Sequence, residues 1–134
     1  MNLTSPFFAA LLTGVSVAGC SSAHAWEQEY ACTGQEQSSA YFVGSDPASA
    51  MQREYPLTID FHLRSGAVMV KSTLATVDAS DEQGLRFSAK NKSFWMNGQF
   101  DKRDGKLTVV DERPLEIAGR TQLVRTSGQY VCKK

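Results

Sequence analysis

The sequence predicts a mainly β protein: an antiparallel β-sandwich or small barrel of about eight strands, with one short helix and a disulfide between its terminal strands. Apolar residues recur with a period of two along most of the chain, as they do in half-buried strands. Short segments of this kind are separated by glycine-containing turns, which is typical of sandwiches and barrels. Two cysteines, Cys32 and Cys132, lie near the two ends of the part expected to fold.

The size and charge of the chain limit the classes of protein to which it can belong. Its 134 residues suffice for one domain, and a hydrophobic fraction of 42% is ordinary for a folded protein. Lys and Arg together number 14, as do Asp and Glu, so the formal net charge is zero. This balance lacks the basic excess of a nucleic-acid-binding protein. We therefore expect one globular domain that does not bind nucleic acid.

Residues 1–25 form a predicted signal peptide. They contain no Asp, Glu, Lys or Arg, and residues 6–19 are apolar or small throughout. This run is shorter than the roughly 20 residues that a membrane-spanning helix needs, and it has the length of a signal-peptide core. The chain is therefore expected to be exported.

Two processing sites are compatible with this leader. The small residues at positions 23 and 25 favour cleavage before Trp26, which leaves a single β domain at 26–134. Residues 17–22 resemble the lipobox of bacterial lipoproteins, which implies cleavage before Cys20 and a lipid on its thiol. The protein is accordingly expected to be periplasmic or secreted, or else anchored in the bacterial envelope through Cys20. In neither case is another membrane contact predicted.

The strands follow from the alternation. The clearest lies at residues 57–63, where four apolar side chains alternate with three polar ones. Further strands are predicted at residues 26–32, 40–43, 67–77, 85–89, 93–100, 106–111, 121–126 and 129–133. The Asp104-Gly105 pair is a strong hairpin signal, and Ser65-Gly66 and Gln83-Gly84 are weaker ones.

One short helix is predicted between the first strands. Asp46 is suited to the N-cap position, and Pro47 is suited to the first helical position. Pro56 ends the segment, because proline interrupts a helix. We expect this helix to lie on the side of the sheet.

The cysteines predict one structural disulfide. Export places the chain in an oxidising compartment, and Cys20 is either removed with the leader or blocked by lipid. Cys32 and Cys132 then remain, without the CxxC spacing of a redox motif or zinc site. We expect them to pair.

The sequence predicts no enzyme, and it predicts no catalytic residue, cofactor or metal site. His62 is the only histidine after the leader, and it alternates outward from its apolar neighbours. No GxSxG, HExxH or phosphate-binding glycine loop is present. The acidic residues within 78–82 and 101–104 lie in turn-forming company and are expected to stabilise turns.

Residues 94–100 offer a candidate binding surface. Trp95, Asn97 and Gln99 occupy one set of alternating positions, and Phe94, Met96, Gly98 and Phe100 occupy the other. If the second set forms the core, the first set is an exposed surface with a composition favoured in binding. Otherwise Trp95 covers a neighbouring strand or the end of a barrel. Glycine inside this strand indicates a bulge or a close backbone approach.

The charges are unevenly distributed along the chain. Residues 26–85 have three basic and nine acidic side chains, whereas residues 86–134 have eleven basic and five acidic ones. Because distant segments interleave in a β domain, this pattern is compatible with complementary neighbouring strands. It is also compatible with a basic face that binds an anionic partner.

The chain resembles a loose class of small, mostly uncharacterised exported proteobacterial proteins. The resemblance rests on Tyr30-Ala31-Cys32, on the stretch from Asn97 to Val109 that contains Phe100-Asp101 and Gly105, and on Tyr130-Val131-Cys132. It implies a hairpin and a terminal disulfide. These features imply a fold more than an activity. From the sequence as a whole we expect an exported, non-catalytic β domain that binds an envelope protein or a small ligand.

A second, weaker similarity is to the bacterial inhibitors of c-type lysozyme, which are small periplasmic or lipid-anchored β-barrels. Trp95-Met96-Asn97-Gly98 resembles their Trp-x-Lys-Gly motif, with Asn in place of Lys. Ser127-Gly128-Gln129-Tyr130 resembles their Ser-Gly-x-x-Tyr motif, one residue shorter and in the opposite order. This similarity implies an alternative function, inhibition of a hydrolase.

Overall fold

Eight antiparallel strands form a closed barrel in the computed structural model, which describes residues 25–46 and 49–134. The strands are β1 (Gln28–Phe42), β2 (Met51–Arg64), β3 (Ala67–Val70), β4 (Thr73–Ser80), β5 (Gly84–Lys90), β6 (Trp95–Asp101), β7 (Lys106–Ile117) and β8 (Arg120–Lys133). Each strand pairs with its neighbour in the chain, and β8 pairs with β1 to close the ring. The barrel alternative of the predicted fold is therefore confirmed.

Four strands continue beyond the barrel. β2, β1, β8 and β7 have 12 to 15 residues each, whereas β3, β5 and β6 have at most seven. β3 ends opposite Phe61 and β6 begins opposite Glu112, so the far ends of β2 and β7 have no partner on that side. We call residues 51–54, 37–42, 120–127 and 113–117 the extension, a four-stranded sheet ordered β2-β1-β8-β7.

Prolines lie on both free edge strands, Pro114 within the extension and Pro56 just below it. Pro56 pairs with Gln35 of β1, and Pro114 pairs with Leu123 of β8. Proline cannot donate a ladder hydrogen bond and is tolerated in strands only where its missing N–H faces an open edge. Both residues therefore weaken the ability of the edges to pair with another strand.

The interior of the barrel is filled by side chains. The residues facing inward are mainly apolar, and the largest completely buried ones are Phe61, Phe87, Phe100, Met96 and Leu107. The ring centroids of Phe61 and Phe100 are 4.9 Å apart. An eight-stranded barrel is just wide enough for such filling, so binding of a ligand is expected outside the ring of strands.

Gly98 makes the aromatic packing possible. A Cβ atom at this position would lie 2.0 Å from Cζ of Phe87, whose ring is buried and has no room to move. This close approach confirms one of the two explanations expected for a glycine in β6. Replacing Gly98 by alanine should therefore lower the free energy of unfolding by about 1–3 kcal/mol.

Denaturant unfolding of Gly98→Ala beside the unchanged protein measures this effect. Phe87→Leu in the Gly98→Ala background should recover part of the loss, because the smaller side chain vacates the space that the methyl group needs. Phe87→Leu alone is the control and should destabilise. A Gly98→Ala variant as stable as the unchanged protein would contradict the packing argument.

Several strand boundaries differ from the predicted ones. The segment 67–77 is two strands, because Lys71 and Ser72 adopt positive φ angles of 51° and 63° and form a tight turn. Residues 26–32 and 40–43 belong to one long strand apart from their outermost positions, and residues 121–126 and 129–133 are both part of β8. The predicted hairpin at Asp104-Gly105 is present, with Gly105 at a φ of 76°.

The predicted short helix from Asp46 to Pro56 is wrong from Met51 onward. Residues 51–55 are extended and pair with residues 36–40 of β1. The local helix signals are overridden because this pairing satisfies the backbone over thirteen successive register positions. Before this strand, the carbonyl of Asp46 accepts a 2.9 Å hydrogen bond from the N–H of Ser49, and residues 47 and 48 of the predicted helix lie outside the described residues.

The predicted disulfide is confirmed. Cys32 of β1 and Cys132 of β8 lie directly opposite each other in the register, with their Cα atoms 3.9 Å apart. The bond therefore joins the first and last strands at the seam that closes the barrel.

The predicted leader before Ala25, including Cys20, lies outside the described residues. Within the described ranges, no helix is long and apolar enough to span a membrane.

Candidate functional site

A cluster of ionic and tyrosine side chains fills the mouth of the barrel at the base of the extension. Its members come from five parts of the barrel: Glu36 from β1, Tyr55 from β2, Lys71 from the β3–β4 turn, Asp111 from β7 and Tyr130 from β8. The strand residues face inward because they continue the alternation of the core positions below them.

Glu36 is the centre of this mouth cluster. Its Oε1 accepts a 2.8 Å hydrogen bond from the Tyr55 hydroxyl, and its Oε2 accepts hydrogen bonds from Tyr130 and, at 2.8 Å, from Lys71 Nζ. Lys71 Nζ also lies 3.4 Å from Oδ2 of Asp111. Glu36 is 3% exposed and Asp111 is 1% exposed. The cluster therefore pairs two buried carboxylates with one lysine.

The mouth cluster is unsuited to acid–base chemistry. Burial alone would raise the pKa of Glu36, but hydrogen bonds from Lys71, Tyr130 and Tyr55, together with the lysine charge, lower that pKa below its usual value. Burial and the hydrogen bond to Glu36 raise the pKa of Tyr55 to about 12, and they raise the pKa of Tyr130 as well. Glu36 is therefore a weak base and the two tyrosines are weak acids, and all three already form hydrogen bonds. This arrangement suits a structural role.

No sequence motif predicts the mouth cluster. Glu36 could have been suspected, because it continues the inward series that contains Tyr30, Cys32 and Gly34. Lys71 could not have been suspected, since it lies inside a segment whose alternation predicts one continuous strand.

None of the buried side-chain nitrogen and oxygen atoms in the described part of the chain lacks a hydrogen-bond partner.

The structure places the predicted binding residues Trp95, Asn97 and Gln99 on the outer face of β6. Asn97 and Gln99 are exposed, and Trp95 is half-buried, with the Arg125 guanidinium carbon 5.4 Å from its ring centroid. The alternating apolar set faces the core. Trp95 therefore covers neighbouring strands from outside, while the two amides remain open to solvent.

A shallow depression lies beside these two amides. It has a volume of about 510 Å³, and Arg86, Thr108 and Val110 line it together with Asn97 and Gln99. Gly98 and Phe87 line the depression as well. Asp78 also lines this depression, which lies on the side of the barrel.

Asp81 and Asp101 stabilise turns as the sequence predicts, whereas Asp78 lies within strand β4. Oδ1 of Asp81 accepts hydrogen bonds of 2.8 and 3.0 Å from the backbone N–H groups of Gln83 and Gly84, and these lower its pKa. The carboxylate of Asp101 accepts hydrogen bonds from the side chain and the backbone N–H of Arg103, and these likewise lower the pKa of Asp101. Among the described residues, no group of three or more His, Cys, Asp and Glu side chains could hold a metal ion.

His62 occupies the outward position that the alternation predicts. Its Nε2 lies 3.7 Å from Oε1 of Glu29, and its ring centroid lies 5.9 Å from that of Trp26. Both contacts are on the outer surface of the barrel. His62 also lines a surface depression of about 440 Å³ with Asp60 and Ser72, and its only ionic contact with the described residues is the one to Glu29.

The extension presents an apolar strip on the face that continues the barrel interior, which we call the inner face. This strip consists of Ala40, Phe42, Met51, Leu115, Ile117 and Val124. Met51, Leu115 and Ile117 are 68%, 50% and 41% exposed, respectively. Three of the six exposed large apolar side chains of the described residues are thus on one face, a grouping typical of an interaction site.

Three arginines accompany the apolar strip. Arg120 lies 4.1 Å from the ring centroid of Phe42, Arg113 lies 5.1 Å from that of Phe94, and Arg53 lies 5.9 Å from that of Tyr55. Arg113 also approaches Asp111 to 3.8 Å. Arg53 and Arg120 form no ion pair with any acidic side chain that the structure describes.

The two faces of the extension differ in charge. Above the mouth cluster, the inner face has arginines and no acidic side chain, whereas Glu54, Glu112 and Glu116 project from the outer face beside Arg125. The inner face of the extension is therefore basic, and the acidic side chains lie on the outer face.

Compared with models of known protein families, with curated proteins and with solved structures, the chain matches none of them.

Proposed function

We propose that the protein is an exported, non-catalytic domain that binds an envelope component or small ligand through the inner face of its extension. The observation on which this proposal rests is the unpartnered inner face, where exposed apolar side chains lie among arginines. A folded monomer does not gain stability from such exposure, so the face is expected to serve an interaction. The filled barrel below it explains why the binding surface is external.

We propose a non-catalytic function because the carboxylates of the mouth cluster already have partners. This cluster is the most unusual group of titratable side chains in the described structure, yet its carboxylates are already engaged by Lys71, Tyr55 and Tyr130. The leader and the disulfide support export to an oxidising compartment, either free in the periplasm or medium or lipid-anchored at Cys20.

Native mass spectrometry of the protein recovered from the envelope of an expressing bacterium tests the proposal. A small bound species should be retained by the unchanged protein and lost in Leu115→Asp, which places a charge in the apolar strip without disturbing the core. Val131→Asp is the matched control, since Val131 is 46% exposed on β8 but lies outside the extension. No bound species, or equal retention by Leu115→Asp, would refute binding at this face.

A second candidate function, inhibition of a c-type lysozyme, is favoured by the outer face of the barrel. The two segments that resemble inhibitor motifs are aligned there across β7, because Asn97 pairs with Val110 and Val110 pairs with Ser127. Their polar side chains therefore form one row. An inhibitor should slow cell-wall lysis by lysozyme, and Asn97→Ala should relieve the effect, whereas Thr58→Ala on β2 should not. Unchanged lysis at large excess would exclude this function.

A further inference from the structure

We infer that the inner face of the extension binds the outer face of the extension of a second copy of this chain, so that copies associate head to tail. The inference goes beyond the proposed function, because the occupant of the face is the chain itself. A ligand on the inner face competes with this association.

The two faces of the extension have unpaired charges of opposite sign. Arg53 and Arg120 are exposed on the inner face. Glu54 and Glu116 are exposed on the outer face. None of the four forms an ion pair with any other residue that the structure describes. Two copies therefore attract each other when the inner face of one meets the outer face of the next.

The strand register gives the two arginines and the two glutamates the same spacing along the sheet. Arg53 is aligned through β1 with position 126 of β8, and Arg120 is six positions further along that strand. Glu54 is aligned with position 127 of β8 and Glu116 with position 121, which are again six positions apart. Six residues of a strand span about 20 Å, which is too far for one small anion but matches two carboxylates of a second sheet.

An antiparallel arrangement of the two extensions keeps the barrels apart. Each barrel encloses the space on the inner side of its own strands, so a second copy stacked in the same direction would place its barrel against the first one. Rotating the second copy by half a turn in the plane of the sheet moves its barrel beyond the tip of the first extension. Arg53 then lies opposite Glu116 of the second copy, and Arg120 lies one strand, about 5 Å, from Glu54 of the second copy. An arginine side chain is long enough to close this gap.

The same alignment places the apolar centres of the two faces against each other. One register row at the centre of the outer face is formed by three apolar residues, Tyr41, Leu123 and Pro114. In the antiparallel arrangement this row lies over the row of Met51, Ala40 and Val124 on the inner face of the first copy. Apolar surface is therefore removed from water between the charged corners, as in interfaces with an apolar centre and a polar rim.

Other contacts between copies are disfavoured. A two-fold dimer through two inner faces would place arginines against arginines, since an isologous interface brings the same patch of both subunits together. Strand addition at the free edges is weakened by Pro56 and Pro114. Because the inner and outer faces are different surfaces, a head-to-tail pair leaves one of each free, and association continues beyond the dimer.

The contact is small, so association is expected to be weak and reversible. Four strands along about 20 Å of their length form a face of roughly 400 Å² on each copy. The total of about 800 Å² is below the roughly 1,200 Å² that stable complexes bury.

Sedimentation velocity of the purified protein from about 1 μM to about 1 mM tests the inference. We expect the average mass to rise with concentration past that of a dimer, and to fall at high salt because exposed charges are screened. Arg53→Glu/Arg120→Glu should raise the dissociation constant about tenfold or more, and Glu54→Arg/Glu116→Arg should do the same. An equimolar mixture of these two variants should associate again, because their exchanged charges are complementary.

Arg86→Glu/Lys133→Glu is the matched control. It changes the net charge as much as the inner-face variant does, but at exposed positions outside the extension, and it should associate as the unchanged protein does. Circular dichroism spectra and unfolding midpoints verify that all variants are folded.

Several results would overturn the inference. They are a protein that stays monomeric at the highest concentration, association that neither pair of substitutions weakens, and a mixture of the two variants that remains monomeric. A mass that stops at the dimer would overturn the head-to-tail mode. If the protein stays monomeric but Leu115→Asp still loses a species from the envelope, the inference fails while the proposed function stands.

Discussion

Replacing Lys71 by methionine is expected to lower the free energy of unfolding by about 3–5 kcal/mol, the usual cost of removing one partner from a buried ion pair. Glu36 and Asp111 are almost fully buried, and Lys71 Nζ lies 2.8 Å from the first and 3.4 Å from the second. Without the lysine, two buried carboxylates at the barrel mouth would face each other with no compensating charge beyond that of the more exposed Arg113.

The pH dependence distinguishes this charge effect from a packing defect. In the unchanged protein, the lowered pKa of Glu36 means that the unfolded chain binds more protons than the folded one in the acid range. Its contribution to stability is present above the ordinary value of 4.5 and is lost as the pH falls through the lower folded-state value. Lys71→Met lacks the lysine's part of this contribution, so the two proteins should become more similar in stability as the pH falls.

Denaturant unfolding at a series of pH values measures both effects. Lys92→Met, which removes an exposed lysine from the β5–β6 turn at the same end of the barrel, is the matched control and should change stability little. A difference between Lys71→Met and the unchanged protein that stays constant with pH would show that lost packing, and not lost charge, destabilises the variant.

The sequence predicts the barrel well where alternation is uninterrupted. In residues 94–100 the alternating pattern leaves two faces open as the core, and the structure resolves the choice because Gly98 admits the ring of Phe87 on the inner side. The pairing of Cys32 with Cys132 is predictable as well, because only two cysteines remain after the expected leader.

The sequence fails where pairing over long distances overrides local signals. Residues 51–55 follow the helix start signals at Asp46 and Pro47, yet they pair with strand β1 and form a strand. The same pairing extends β2, β1, β8 and β7 past the barrel and creates the inner face. Its arginines come from three strands, and their position on one face depends on strand register, which no single segment determines.

Reducing the Cys32–Cys132 disulfide is expected to lower the free energy of unfolding by about 4–5 kcal/mol, according to the chain-entropy model for a loop of about 100 residues. The two cysteines are 100 positions apart, so the bond restricts nearly the whole domain in its unfolded state. Unfolding with and without reductant measures the effect, with thiol trapping to verify complete reduction. The Cys32→Ala/Cys132→Ala variant should be insensitive to reductant. An equal response of that variant would assign the effect to another cause.

Loss of the disulfide and loss of Lys71 should add, because they act through different states and share no contact. The disulfide mainly restricts the unfolded chain, whereas Lys71 stabilises the folded barrel mouth. The combined loss of about 7–10 kcal/mol is comparable to the total stability of a small domain, about 5–15 kcal/mol. Reduced Lys71→Met should therefore be largely unfolded at 25 °C by circular dichroism, while each single change leaves a folded population. If reduced Lys71→Met remained well folded, the disulfide at the seam and Lys71 at the mouth would not stabilise the barrel independently.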